Sequence, residues 1–347
     1  MKTATKIAGC FDDEVVLPLH LSTIWSQKVP GEMNDFEYGR IDNPTRRQVE
    51  KQLQLILGVK NAMLFSSGMS AITSVLLTLK SGDHVICSNQ LYEGTFRVIE
   101  NIFAKLGIEA SFVSQNDVAK TIKENSKLIW FESVSNPLLE VTDIRKLAAV
   151  KGKCKLVIDS TFTPLLDVFV LGADIVIQSA SKFLSGQHNI IAGMAATNDN
   201  TFADKILEVR HTTGTMLSPF ECFLLSMGLK TLKIRLDCQK INATKLAEFL
   251  RDHPKVEKTI FPELNNIAQT PIVSFLVKGN VNAFCKNLKL VRITQSFGGF
   301  STTIQVPKKM MSLSHGETIS ENLVRVSVGL EDISDIINDF DNALGNT

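Results

Sequence analysis

The chain has 347 residues, of which 44% are hydrophobic, so it is long enough for two domains and a sizeable core, and a disordered or fibrous protein is excluded. Its 37 basic and 36 acidic residues nearly cancel, which argues against nucleic acid or an anionic membrane as a partner and favours a small molecule. No membrane span or signal peptide is expected, and the six cysteines lack the spacing of a zinc site or a disulfide framework. We therefore expect no metal and a cytoplasmic location.

The first half of the chain predicts an N-terminal arm followed by alternating strands and helices. Residues 1–45 show little helical period and contain Pro and Gly, so they predict an extended arm that contacts a partner subunit. Asn43 and Pro44 predict the start of a helix, and Gly58 its end. Strands are predicted at 61–65, 84–87, 110–113, 128–131, 156–158 and 175–177, with helices between them. This alternation predicts an α/β fold with a mostly parallel sheet, which binds ligands beyond the carboxyl ends of its strands.

The second half predicts a smaller α+β domain that a long helix joins to the first. The pattern is helical from about residue 218 to about 251. Strands follow at 256–261, 272–277, 290–294 and 323–328, with helices at 281–288 and 331–345. We therefore expect an N-terminal arm (1–45), a large cofactor-binding domain (46–235) and a small C-terminal domain (236–347).

A lysine at position 182 follows an apolar run that predicts a buried strand, in the segment Ser179-Ala-Ser-Lys-Phe-Leu-Ser-Gly-Gln-His188. A lysine kept from water has a lowered pKa and a nucleophilic amine, which an imine-forming lysine requires. Ser179 and Ser181 supply hydroxyls suited to a phosphate, and Gly186 lets backbone approach closely. Together these features favour pyridoxal 5′-phosphate (PLP) held by Lys182 as a Schiff base. Taken alone, such a short motif is more often a solvated lysine on a surface loop.

Other positions fit the same cofactor, each beside an ordinary structural alternative. The turn Ser67-Gly68-Met69 leads into a helix N-terminus, which presents free amides to a phosphate but also occurs without a ligand. Asp159 ends a predicted strand, where a carboxylate pairs with a protonated pyridine nitrogen or caps a helix. The chain has 20 phenylalanines but only two tyrosines, Tyr38 and Tyr92, so each phenol is a candidate for a chemical role.

Eight short motifs occur in the order seen in one enzyme family. They are Tyr38-x-Arg40-x-x-Asn43-Pro44-Thr45, Ser67-Gly68-Met69, Tyr92-x-Gly94-Thr95, Ser135-Asn136-Pro137, Asp159-x-Thr161, Ser179-Ala-Ser-Lys182, Ser296-x-Gly298-Gly299 and Arg325-x-Ser327-x-Gly329-Leu330-Glu331. From about residue 20 to the C-terminus the chain thus resembles the Cys/Met-metabolism (trans-sulfuration) PLP enzymes. The resemblance implies the type I fold of PLP-dependent transferases, with a seven-stranded sheet, and a sulfur amino acid as the substrate. It also displaces the solvated-lysine alternative.

The resemblance implies a role for each matched residue. Lys182 would bind PLP covalently and move protons, Asp159 would pair with the pyridine nitrogen, and Tyr92 would stack on the ring and take part in proton transfer. The remaining cofactor-binding candidates are Gly68, Met69, Thr161, Ser179 and Ser181, with Tyr38 and Arg40 reaching the phosphate from the neighbouring subunit. Arg325, helped by Ser296, would bind the substrate α-carboxylate. Asn136 would bind the cofactor near its phenolic oxygen, and Asn136 and Phe297 would also contact the substrate. A homodimer that shares its sites is therefore expected, and a homotetramer built from it.

Four positions depart from the commonest family pattern. Ser181 replaces a threonine, Phe183 replaces a tyrosine and Gln187 replaces a frequent histidine. Ser301 stands where a glutamate is common, so the role of that glutamate in substrate choice does not carry over.

The reaction is the least determined part of the prediction. Tyr38-Gly39-Arg40, Glu93 and the aromatic residues Phe297 and Phe300 favour cystathionine β-lyase, which forms homocysteine, pyruvate and ammonia. Asn43-Pro44-Thr45 and Gly94-Thr95 instead resemble the γ-class enzymes. Cystathionine γ-lyase, cystathionine γ-synthase and O-acylhomoserine sulfhydrylase therefore stay open, as does a PLP-binding paralogue with little catalysis.

Overall fold

Two sheets packed against helices account for most of the chain in the computed structural model, which describes residues 2–8, 15–32, 34–264, 267–268, 270–311 and 319–347. The helices are α1 (Thr3–Ala8), α2 (Pro44–Leu57), α3 (Gly68–Leu76), α4 (Glu93–Val98), α5 (Val118–Thr121), α6 (Ile144–Val150), α7 (Asn200–Thr213), α8 (Pro219–Asp252), α9 (Val281–Asn287), α10 (Pro307–Met310) and α11 (Ile333–Gly345). The strands are β1 (Asn61–Phe65), β2 (His84–Ser88), β3 (Glu109–Val113), β4 (Ser126–Glu132), β5 (Lys155–Asp159), β6 (Ile175–Gln178), β7 (Gly193–Thr197), β8 (Val256–Ile260), β9 (Glu263–Leu264), β10 (Ile267–Ala268), β11 (Ile272–Val277), β12 (Arg292–Ile293), β13 (Thr303–Gln305) and β14 (Leu323–Ser327).

The larger sheet has seven strands in the order β1-β7-β6-β5-β4-β2-β3. The pairs β2–β3, β2–β4, β4–β5 and β5–β6 are parallel, and β7 runs antiparallel to both of its neighbours. Successive side chains of β4 alternate between two apolar clusters, with Ile129 and Phe131 packed towards α2, α6 and α8, and Leu128 and Trp130 towards α3 and α7. Helices therefore cover both faces, and the predicted mostly parallel seven-stranded sheet is confirmed.

Strand β7 was missing from the predicted strands. Its sequence, Gly-Met-Ala-Ala-Thr, is poor in the β-branched and aromatic residues that indicate a strand. Tertiary contact explains the small residues, since a Cβ on Gly193 would lie 2.1 Å from the carbonyl oxygen of Ser67. The sequence signal is weak here because close backbone packing, not strand propensity, selects these residues.

The N-terminal arm differs from the prediction in its first residues. Residues 3–8 form α1, which packs on α2 and α8 with Ile7 buried, whereas an extended chain was predicted. A helix of six residues is too short to show a clear apolar period. The predicted ends of α2 are confirmed, because Asn43 Oδ1 accepts hydrogen bonds from the amides of Thr45 and Arg46, and Gly58 has a φ of 69°. Cys10 lies outside the described residues.

Helix α8 connects the two sheets. Leu225, Leu229 and Leu232 pack in a core against the large sheet, whereas Leu246 and Leu250 pack against the small one. The small sheet has the order β12-β13-β14-β11-β8 and is antiparallel except for the pair β12–β13. Strand β13 was not predicted, and the domain boundary proposed at 235/236 falls inside α8. Within the described ranges, no helix combines the length and apolarity needed to span a membrane.

Candidate active site

A cavity of about 1020 Å³ lies between the carboxyl ends of the large sheet and the small sheet. Strand β5 ends at Asp159, and the turn that contains Lys182 follows β6 directly. The small sheet contributes Arg325 from β14 and the loop after β12 contributes Ser296. All of the predicted same-subunit residues line this one cavity: Gly68, Met69, Tyr92, Asn136, Asp159, Thr161, Ser179, Ser181, Lys182, Ser296, Phe297 and Arg325.

The amine of Lys182 is kept largely from water. Its Nζ donates a hydrogen bond to Ser296 Oγ at 2.5 Å and lies 5.0 Å from the centre of the Phe297 ring. Burial, and next the positive charge of Arg325, lowers the pKa of Lys182 to about 8. Among the described residues no carboxylate forms an ion pair with this amine. About a tenth of it is therefore neutral and nucleophilic at pH 7, far more than of an unperturbed lysine.

Arg325 is a buried cation that faces the same cavity. Its Nη1 donates to Asn136 Oδ1 at 2.7 Å, and its Nη2 donates to the Ser296 carbonyl oxygen at 3.0 Å. Burial lowers its pKa to about 10, which still leaves the guanidinium charged at neutral pH. No carboxylate of the described chain pairs with it, so the site offers a fixed positive charge to an anionic ligand group.

Asp159 and Thr161 form one hydrogen-bonded unit at the floor of the cavity. Asp159 Oδ1 accepts bonds from the Thr161 amide at 2.9 Å and the Thr161 hydroxyl at 2.6 Å. The same hydroxyl accepts a bond from the Ser179 amide at 2.9 Å. Burial raises the pKa of Asp159, and the bonds from Thr161 oppose that rise. A buried carboxylate without a cation of its own fits a protonated pyridine nitrogen as its partner.

The N-terminus of α3 fits a phosphate. The first amides of a helix have no acceptor within the helix, and the helix dipole favours an anion there. Ser67 Oγ accepts the Ser70 amide, which leaves those of Gly68 and Met69 at the cavity. A Cβ on Gly68 would lie only 3.1 Å from Ser179 Cβ, so glycine keeps this corner open.

Ser181 uses its hydroxyl differently from the prediction. Its Oγ donates to the Ala192 carbonyl oxygen at 3.1 Å and accepts the Ala192 amide at 2.8 Å. The hydroxyl proton is thus engaged within the chain, and the predicted phosphate contact of Ser181 stays a prediction.

Tyr92 immediately precedes α4 and lines the cavity. Burial raises the pKa of its phenol, and the neighbouring Glu93 charge acts in the same direction. The phenol therefore keeps its proton throughout the neutral range. A Cβ on Gly94 would lie 2.5 Å from the Tyr92 ring, which explains the glycine two residues after the tyrosine. The Tyr92 amide donates a hydrogen bond to Glu132 Oε1 at 2.5 Å. Glu132 also lines the cavity, although none of the motifs indicated it.

The two phenylalanines expected to narrow the substrate path differ from each other. Phe297 is 8% exposed and packs edge-on against Phe162 at 4.7 Å between ring centres, so it belongs mainly to the core. Its ring also lies 5.0 Å from the guanidinium of Arg325. Phe300 lines the cavity but is 48% exposed. Both rings line the cavity, and their expected role in confining the substrate path stays a prediction.

Tyr38 and Arg40 lie outside the cavity of their own chain. Tyr38 is 43% exposed, and the Arg40 guanidinium lies 5.4 Å from the centre of its ring. Arg40 also donates to the carbonyl oxygen of His211. Both side chains are exposed at the surface of their own chain, and their contribution to a neighbouring site stays a prediction.

Arg235 is a site-supporting residue that sequence reasoning missed. This buried side chain of α8 donates to the carbonyl oxygens of Phe183 at 3.0 Å and Gly228 at 2.8 Å. A Cβ on Gly186 would lie 1.9 Å from its Nη1, so the arginine fills the inside of the turn that follows Lys182. An arginine in a long helix ordinarily indicates a solvated face, and nothing in the local pattern marks this one.

A desolvated lysine of lowered pKa after a strand end, a desolvated aspartate and a helix N-terminus with free amides together match the site of a PLP-dependent enzyme of fold type I. The chain belongs to the family of Cys/Met metabolism PLP-dependent enzymes, whose model matches residues 7–345. Trans-sulfuration chemistry on a sulfur amino acid, with PLP as cofactor, is the activity of this family.

The comparisons with individual proteins cover nearly the whole chain. Cystathionine gamma-lyase of Bacillus subtilis is 36% identical, over 99% of this chain and 99% of its own. Cystathionine gamma-lyase of Mus musculus is 35% identical, over 95% of this chain and 90% of its own length. The crystal structure of metB from Corynebacterium glutamicum superposes with a TM-score of 0.95 at 33% identity, over 100% and 98%. The crystal structure of cystathionine gamma-lyase from Lactobacillus plantarum complexed with L-serine superposes with a TM-score of 0.94 at 29% identity, over 100% of this chain and 99% of that one.

Proposed function

We propose that the protein is a cystathionine γ-lyase, which converts cystathionine and water to cysteine, 2-oxobutyrate and ammonia. The observation that carries this proposal is the set of curated relatives with that name at 34–36% identity over at least 95% of the chain. They favour the γ-class alternative over the β-lyase that the motifs favoured.

The cofactor supplies an electron sink for the carbon atoms that lose protons. Lys182 would hold it covalently, Asp159 would pair with its ring nitrogen, and Tyr92 would stack on its ring. Its phosphate would lie against the amides of Gly68 and Met69 and the Ser179 hydroxyl. The fit rests on the buried Asp159 carboxylate, which Thr161 bonds at one oxygen only, and on the open corner beside Gly68.

Lys182 is the base that this proposal requires. Elimination at Cγ needs protons removed from two adjacent carbons, Cα and Cβ, so one amine must reach both. Burial holds the pKa of Lys182 at about 8, which keeps part of the amine neutral, and Ser296 Oγ accepts a hydrogen bond from it. Because no carboxylate of the described chain pairs with this amine, its flexible stem is free to move along the substrate.

Arg325 and Tyr92 would act at the two ends of the reacting half of the substrate. The guanidinium of Arg325, oriented by Asn136, would bind the α-carboxylate. At the other end the bond between Cγ and sulfur breaks, sulfur keeps the electron pair, and the phenol of Tyr92 would donate the proton that makes cysteine. The raised pKa of Tyr92 supports this role because it keeps the phenol protonated until the thiolate forms.

The proposal includes a shared active site. Tyr38 and Arg40 lie outside their own cavity, so we propose that they bind the phosphate at a neighbouring subunit of a homodimer, from which a tetramer would be built.

The deciding experiment is product analysis by mass spectrometry. Purified holoenzyme is incubated with L-cystathionine, and Lys182→Ala protein serves as the blank. Cysteine with 2-oxobutyrate is the expected result. Homocysteine with pyruvate would restore the β-lyase assignment, and much faster turnover of an O-acylhomoserine with a thiol would indicate a γ-replacement enzyme. Turnover of none of these substrates by the PLP-loaded protein would favour the weakly catalytic paralogue.

A further inference from the structure

Ser274 forms a second contact between the small sheet and the segment that carries Asn136. This serine of β11 is completely buried, and its hydroxyl donates to the Pro137 carbonyl oxygen at 2.9 Å. It does not line the cavity and belongs to none of the motifs that indicated the site. The contact joins residues 137 positions apart in the chain.

The neighbour of Ser274 across the sheet is Arg325. The two residues are direct partners in the antiparallel pairing of β11 with β14, so their side chains project from the same face of the small sheet. Arg325 donates to the Asn136 side chain, and Ser274 donates to the carbonyl of the next residue, Pro137. Two adjacent positions of one sheet therefore bind two consecutive residues of the segment after β4.

A bound substrate would disturb the contact of Arg325 with Asn136 but not the contact of Ser274 with Pro137. Arg325 must turn part of its guanidinium towards an incoming carboxylate, which competes with its bond to Asn136. Ser274 contacts only backbone and is out of reach of any ligand in the cavity, so its bond persists while Arg325 exchanges partners. The Pro137 carbonyl would otherwise be a buried acceptor without a donor, which is costly.

We propose that Ser274 is a positioning residue, which keeps Asn136 and Arg325 in register so that together they bind the substrate carboxylate. The proposal rests on the carboxylate role proposed above for Arg325, but it does not depend on whether the enzyme eliminates at Cβ or Cγ. It assigns Ser274 to substrate binding through Asn136 rather than to holding the two sheets together.

The test compares ligands with and without a carboxylate. PLP-loaded wild type and Ser274→Ala are titrated with L-alanine, which has no leaving group, and with ethylamine, which has no carboxylate. Binding is followed by the change in cofactor absorption, so the readout is independent of turnover. Ser226→Ala is the matched control, because this serine is also buried and donates to a carbonyl oxygen, that of Phe223 at 2.7 Å, within α8.

We expect Ser274→Ala to weaken L-alanine binding about three- to tenfold, the range that one hydrogen bond supports, and to leave ethylamine binding unchanged. Ser226→Ala should leave both unchanged. A Ser274→Ala protein that binds L-alanine like wild type, or that loses affinity for both ligands equally, would show a merely structural serine and overturn the proposal.

A double-mutant cycle tests whether the effect passes through Asn136. If it does, adding Ser274→Ala to Asn136→Ala costs little further L-alanine affinity, because the oriented group is already gone. Fully additive losses would overturn the proposed route. None of these results depends on the products formed from cystathionine, so failure of the γ-lyase assignment is distinguishable from failure of this inference.

Discussion

Ser296 binds Lys182 through its side chain and Arg325 through its main chain. Its hydroxyl accepts the Lys182 amine at 2.5 Å, and its carbonyl accepts the Arg325 guanidinium at 3.0 Å. Its φ of 81° lies in the left-handed region, which is unfavourable for residues other than glycine. One strained residue thus orients the two cations of the site, and the strain is offset by these two bonds.

A pair of substitutions separates the hydroxyl of Ser296 from its backbone. Ser296→Gly removes the hydroxyl but tolerates the positive φ, whereas Ser296→Ala removes the hydroxyl and keeps the steric cost, roughly 1 kcal/mol or more. We expect both variants to lose turnover, since Lys182 loses its hydrogen-bond partner. The alanine variant should also unfold at a lower denaturant concentration than the glycine variant. Equal stability of the two variants would contradict the strain argument. Turnover and urea unfolding are the measurements.

Lys182→Ala should lose covalently bound cofactor and essentially all turnover. No other amine can replace it, because no second lysine of the described chain lines the cavity. The matched control is Lys240→Ala, which removes another partly buried lysine whose pKa burial also lowers. Borohydride treatment followed by mass spectrometry measures the bound cofactor. Borohydride-fixed cofactor or wild-type activity in Lys182→Ala protein would be incompatible with the proposed site.

The residues proposed to carry the chemistry of this site could be predicted from the sequence, whereas the residues that support them could not. Lys182, Asp159 and Arg325 lie at strand ends or on a strand, where period and motif both indicate them, and all three line one cavity. The contributions of Arg235 and Ser274 depend on which carbonyls face them across 51 to 137 residues of chain, and a single sequence carries no signal of that. For the same reason β7 was missed, since tertiary packing against Ser67 selects its small residues. The local sequence pattern predicts most helices and strands, whereas contacts between distant parts of the chain decide which residues support the site.

Mixing Arg40→Ala with Lys182→Ala protein tests the shared site. Arg40→Ala should bind the cofactor more weakly, because one charge-assisted contact to a phosphate contributes ~1.5–3 kcal/mol. When it is mixed with Lys182→Ala under conditions of subunit exchange, hybrid dimers contain one site with both native residues. We expect part of the activity to return in proportion to the hybrid fraction. Exchange confirmed by mass spectrometry without any recovery would place Arg40 in a structural role on its own subunit.

The last prediction concerns the pH at which the apoprotein captures its cofactor. Only the neutral amine of Lys182 attacks an aldehyde, so the capture rate follows the deprotonated fraction. With a pKa of about 8, that fraction rises as the pH increases through 8, whereas an unperturbed lysine stays almost fully protonated until pH ~9. Burial is the larger cause of the lowered pKa, and the Arg325 charge is the second.

Replacing Arg325 by Gln should therefore change the pH midpoint of cofactor capture in a defined direction. Loss of the nearby positive charge makes protonation of Lys182 easier, so the midpoint of capture should move to higher pH while burial keeps it below that of a free lysine. Stopped-flow absorbance of PLP binding between pH 6 and 10 measures both midpoints, and Lys240→Ala should leave the midpoint unchanged. A wild-type midpoint near 10 would contradict a desolvated amine, and a downward shift in Arg325→Gln would contradict the proposed coupling of the two cations.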